Sequence, residues 1–110
     1  MAYPFFTVVE AQNVAMGQSG NAYVDTEGKY TPPSGTKILA ITTLTDVEFA
    51  ELTPESTDSW FGTTEDSPGS GTASDKVTSS DAFIAGITIY GRWNSFELNS
   101  AGDKVIVYFG

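Results

Sequence analysis

The sequence predicts an all-β domain, a small β-sandwich or jelly-roll-like unit with one long acidic loop. Short runs of β-branched and aromatic residues recur along the chain, Gly/Pro/Ser/Asn-rich turns separate them, and no stretch carries a convincing amphipathic helical period. At 110 residues the chain has the length of one domain, enough to bury a core without covalent staples. The expected division is an N-terminal arm or edge strand over 1–12 and a single sandwich domain over 13–110, with the acidic loop at about 53–80.

Taken in order, Phe5 to Glu10 (F-F-T-V-V-E) reads as a first strand or an arm that packs on a neighbour. Pro4 in front of it donates no ladder hydrogen bond, which suits a strand start or an edge. Gln18-Ser19-Gly20 signals a turn, Asn21 to Asp25 a short strand, and Thr26-Glu27-Gly28 another turn. Thr31-Pro32-Pro33-Ser34-Gly35 is a rigid loop leading into Lys37 to Thr43. There Ile38 and Ala40 are expected on one side and Leu39 and Ile41 on the other, as in a central strand covered on both faces. In Leu44 to Leu52, Val47 and Phe49 alternate with acids like a half-exposed strand; a single helical turn before Pro54 is the alternative.

The C-terminal stretch organises the rest. Ile84 to Phe109 divides into three β-type segments, with Gly91 ending or bending the first and Asn99-Ser100-Ala101-Gly102-Asp103 forming a turn before the last. Ile87 and Ile89 share one side of the first segment, and Phe96 and Leu98 one side of the second. Val105 to Phe109 is apolar at successive positions, which predicts an interior strand buried on both faces.

Composition excludes several chemistries. The chain has no cysteine and no histidine, which removes disulfides, thiolate zinc sites, the Ser-His-Asp arrangement and the usual neutral-pH acid/base group. Fourteen acids against five bases give a formal charge of −9, which argues against binding nucleic acid or an anionic membrane surface. The bases, Lys29, Lys37, Lys76, Arg92 and Lys104, form no run. Met1 to Gln12 lacks a basic n-region and a small-residue cleavage site, so no signal peptide is expected, and no segment reaches membrane-span length.

Between Asp46 and Asp81 nine acids face one base, Lys76, a local charge of −8. Thr53 to Ser80 is far longer than an ordinary connection, and its large apolar residues are Trp60, Phe61 and Val77. Trp60 and Phe61 are therefore the expected loop anchors. Asp66 to Gly71 lacks the alternating acids and closing glutamate of a calcium loop, so a solvated acidic surface is the better reading. Pairs such as Glu48 with Glu51, or Asp58 with Glu65, have the residue types for glycoside hydrolysis, but nothing places either pair across a cleft. No catalytic, cofactor or metal site is expected. Trp93 is expected to face outward, because a period of two puts Phe96 and Leu98 on the other side; with Arg92 beside it, this is the composition of an interface hot spot.

The segment A-G-I-T-I-Y-G-R-W-N-S-F-E-L (Ala85 to Leu98), followed by K-V-I-V-Y-F-G (Lys104 to Gly110), resembles short virion-associated proteins of tailed bacteriophages. In those proteins an I-x-A-G-x-T-I-Y-G-x-F/W segment and a G-x-V-I-A-Y ending recur. The run from Gly35 to Glu55 is similar to the middle of that family, where a strand precedes an F-x-x-L-T segment. The resemblance spans about Gly35 to Gly110; the acidic loop is least alike, and Met1 to Gln12 does not match.

The resemblance implies a non-enzymatic capsid decoration (cement) protein on the virion surface. Its partner would be the major capsid protein, it would bind at subunit junctions, and it would attach as a symmetric trimer on a local threefold axis. Pro4, Phe5, Phe6, Arg92 and Trp93 are then the candidate contact residues. The alternative is a tail- or fibre-associated adhesion domain holding a surface glycan on Trp60, Phe61 and Trp93.

Overall fold

The computed structural model describes residues 20–65, 68–69 and 73–110. The predicted strand or arm at Phe5 to Glu10, and with it Pro4, Phe5 and Phe6, lies outside the described residues. Those described are all-β, with no helix among them. The strands are β1 (Asn21–Val24), β2 (Gly28–Tyr30), β3 (Ile38–Thr43), β4 (Phe49–Pro54), β5 (Thr88–Leu98) and β6 (Val105–Phe109). All six pair antiparallel in one sheet, in the order β1-β6-β3-β5-β2 with β4 also on β5, and the sheet curls into a half-barrel. The described strands thus form a single sheet, with no second sheet facing it.

The register shows how β5 holds the sheet together. Phe96 and Leu98 pair with both β2 and β4, and Trp93 pairs with both Ile38 of β3 and Pro54 of β4. A strand has two edges, so β4 takes one edge of β5 while β2 and then β3 share the other. As expected, β6 is interior, between β1 and β3.

The core is built from Ile38, Ile41, Val47, Phe49, Leu52, Trp93, Phe96, Leu98, Val105 and Val107. Aromatic edges lock it: Phe49 meets Phe96 and Phe83 edge-on, with ring centroids 5.9 and 5.4 Å apart. Thr43 and Ser95 are the buried polar residues among those described, and the Thr43 hydroxyl is satisfied by donating to the Ile84 carbonyl at 2.6 Å and accepting from the Ile87 amide at 3.1 Å.

Four sequence expectations are corrected here, the first only in part. Gly91 does not end a strand, because β5 runs unbroken for 11 residues through it. The expected bend is there, since β5 takes three steps from Tyr90 to Trp93 against two on β3 from Ala40 to Ile38, a bulge that spans Gly91. A Cβ at this buried position would lie 2.7 Å from the Trp93 ring, so glycine leaves the space in which the indole lies. Trp93 is not outward; it is fully buried. The β4–β5 pairing shifts register between Thr53/Pro54, opposite Ser95 and Trp93, and one extra residue on β5 turns Trp93 and Phe96 to the same side. Likewise β3 shifts register between Ile38/Ala40, so Ile38 and Ile41, three apart, both enter the core. The fourth correction concerns β6: Val105 and Val107 are buried, while Ile106 and Tyr108 on the other side are only half-covered.

Candidate protein-interaction face

Residues directly opposite in a ladder lie on the same face of a sheet. Two successive rows cross β1, β6, β3 and β5 on the side away from the core: Asn21, Tyr108, Ala40 and Tyr90, then Tyr23, Ile106, Thr42 and Thr88. None is charged. Ala40, flanked by Tyr108 and Tyr90, is buried, and the Thr42 and Thr88 hydroxyls bond each other at 2.8 Å. One step on, the Leu44 amide donates to the Lys104 carbonyl at 2.9 Å, and alternation after inward Thr43 turns Leu44 outward.

Among the described residues the large apolar side chains left exposed are Tyr23 (56 %), Leu44 (44 %), Ile84 (63 %) and Tyr90 (58 %). Tyr23, Leu44 and Tyr90 belong to this outward face, whereas Ile84 lies in the turn before β5, where its carbonyl accepts the inward Thr43 hydroxyl. Scattered exposed apolar residues are ordinary on a protein surface; their collection on one sheet face is not.

One end of the face is polar. On β5, Arg92 and Asn94 continue the outward alternation beyond Tyr90. Arg92 Nε donates to Glu55 Oε1 at 2.9 Å, and Lys37 Nζ donates to Asn94 Oδ1 at 2.7 Å while lying 4.0 Å from Glu55 Oε2. The hydrogen bond from Arg92 holds the Glu55 carboxyl below the usual carboxylate range; partial desolvation opposes this, and the charges of Arg92 and Lys37 reinforce it. A group with a depressed folded value contributes stability above its unfolded value and loses it as pH falls through the folded one. Replacing Arg92 with glutamine is accordingly expected to raise the Glu55 titration midpoint towards that of an ordinary glutamate, as followed by NMR of the carboxyl carbon.

The acidic loop is seated on β4. The Thr63 amide donates to the Leu52 carbonyl at 2.9 Å, the Leu52 amide donates to Thr63 Oγ1 at 2.9 Å, and the Val77 amide donates to the Gly62 carbonyl at 2.9 Å. Phe61 packs against the core with its ring edge-on to Trp93, centroids 5.6 Å apart, and its carbonyl accepts the Trp93 indole N–H at 2.9 Å. Trp60 is half-buried, its amide donating to the Ser56 carbonyl at 3.0 Å. On the row between β2, β5 and β4, Glu51 lies opposite Glu97, and Lys29 Nζ reaches Glu51 Oε1 at 3.7 Å. That arrangement is a cross-strand trio of one base and two acids, in which Lys29 offsets one of the two carboxylates.

The structure therefore separates residues that the sequence reading had grouped. Arg92 is on the outward face and Trp93 is beneath the sheet. The face itself was missed, although its signal is present: β3 and β6 carry apolar side chains at both alternating positions, where a one-sided sheet needs them at only one. No group of three or more His, Cys, Asp or Glu placed to hold a metal occurs among the described residues. No protein-family model, curated protein or solved structure matches the chain.

Proposed function

We propose that the protein is a non-enzymatic structural component of a tailed-phage virion, a capsid decoration (cement) protein that binds the major capsid protein at subunit junctions and stabilises the shell. The observation that carries the reading is the uncharged outward face, where the exposed apolar side chains collect around tyrosines. A protein partner buries such a surface with gain, and tyrosine and arginine are the side chains that contribute most in such contacts. Attachment as a homo-oligomer multiplies weak individual contacts into durable binding at a seam. In the particle, a second layer over the sheet, completing a sandwich-type or jelly-roll-like arrangement, is then supplied by the capsid protein. The adhesion alternative loses one of its stacking platforms, because Trp93 is buried.

The test is to mix purified protein with shells lacking it and to measure both co-sedimentation and the temperature at which the shells are disrupted. The expected result is saturable binding with a raised disruption temperature. Tyr90→Glu, at an exposed position that leaves the core untouched, is expected to weaken binding by roughly tenfold or more. Absence of binding to intact shells would sink the reading.

A further inference from the structure

The charges around the outward face are arranged diagonally. Three successive antiparallel pairings, β1 with β6, β6 with β3 and β3 with β5, make β1 antiparallel to β5. The β5 strand runs from Thr88 through Tyr90 to Arg92, while β1 runs the other way, from Asn21 through Tyr23 towards Asp25. Arg92 and Lys37, with Glu55 between them, therefore mark one corner, two bases against one acid, or +1. The diagonally opposite corner holds Asp25, the next outward position after Tyr23. Lys104 lies opposite it, one step beyond the Val24–Val105 pair, and Glu27 follows two residues on; two acids against one base give −1. Between the corners lie Tyr23, Ile106, Tyr108 and Tyr90 with no charged group in either row.

We infer that in the free protein, where no capsid partner covers it, this face pairs with the same face of a second copy of the chain about a two-fold axis. An axis in the plane of the contact, along the other diagonal, lays the +1 corner of each copy over the −1 corner of its partner and crosses the uncharged rows of the two copies steeply over one another. Self-complementarity of this kind is what an isologous contact requires. A chain of net charge −9 repels its copies over most of its surface, and here the opposing charges match. A head-to-tail ring, including the trimer that the phage resemblance implies, needs a second, different surface to receive the face. Of the four large apolar side chains left exposed among the described residues, Tyr23, Leu44 and Tyr90 are on this face, and Ile84 stands alone in the turn before β5.

The test uses the full chain in solution, without shells, followed by sedimentation equilibrium over a wide concentration range. The expected result is a monomer–dimer equilibrium. Tyr90→Glu is expected to weaken association by at least about thirtyfold, since it buries a carboxylate among the tyrosines of the contact. Asp25→Lys and Arg92→Glu are each expected to weaken it by roughly tenfold, because each sets like charges together at both symmetric corners. Mixing those two variants is expected to restore the dimer, because each then supplies the charge that the other has lost. Damage to the fold does not produce such rescue. A chain that stays monomeric, a trimeric mass, or a dimer indifferent to Tyr90→Glu would overturn the inference. A dimer with this rescue pattern that nevertheless ignores intact shells supports the inference while overturning the decoration reading.

Discussion

Replacing Trp93 with alanine is expected to destabilise the fold by about 3–5 kcal/mol, the usual cost of emptying a site filled by a large buried aromatic side chain. The side chain is 0 % exposed, faces the space left by Gly91, and meets Phe61 edge-on. Its N–H is also the donor that satisfies the Phe61 carbonyl, so truncation leaves that acceptor without its partner and loosens the start of the acidic loop. A domain of this size has a total stability of about 5–15 kcal/mol, so the variant is expected to be partly unfolded near physiological temperature. Urea unfolding followed by circular dichroism measures the loss. Trp93→Phe separates the contributions: it retains most of the apolar volume and gives up the hydrogen bond, with an expected cost of roughly 1–2 kcal/mol. A loss below about 1 kcal/mol for Trp93→Ala would mean that the indole is not in the core.

That tryptophan also marks where sequence reasoning stops. Alternation identified the β-strands because each strand's inward set is read directly from every second residue, and Val105 with Val107 follows that rule. It misplaced Trp93 because a register shift is invisible to a pattern of fixed period: one extra residue opposite Thr53 and Pro54 reverses every assignment beyond it. Gly91 was half legible, its bend expected and its contact with the indole not. Its meaning depends on the Trp93 ring lying against it and not on a backbone dihedral that only glycine adopts. The outward face was legible in part. Apolar residues at both alternating positions of β3 and β6 signalled two covered faces, and only the three-dimensional register showed that the described chain covers one. The loop anchor was half legible, in that Phe61 packs on the core but its tie to the Trp93 indole is a contact across 32 residues.

The seat of the acidic loop supplies the second large expected effect, at Gly62. No left-handed dihedral calls for glycine there; the requirement is close approach. A Cβ would collide with the Leu52 carbonyl oxygen and lie 2.7 Å from Pro54 Cδ, both parts of β4 and neither the free end of a flexible side chain. Gly62→Ala is therefore expected to cost about 2–3 kcal/mol or more, through a backbone shift that lifts the loop away from β4. Lifting it breaks the hydrogen bonds that join Leu52 to Thr63 and Gly62 to Val77. It also uncovers the outer edge of β4, and an uncovered strand edge invites pairing with other chains. Amide exchange at Leu52 is the decisive reading, because its N–H is held by the Thr63 hydroxyl and nowhere in the β5 ladder is there a substitute for that loop contact. Exchange at Leu52 should accelerate by orders of magnitude in the variant while the β6 amides follow global unfolding alone. Unchanged protection at Leu52 together with unchanged stability would show that the loop does not sit on β4, and that the acidic segment is held by Phe61 and Trp93 alone.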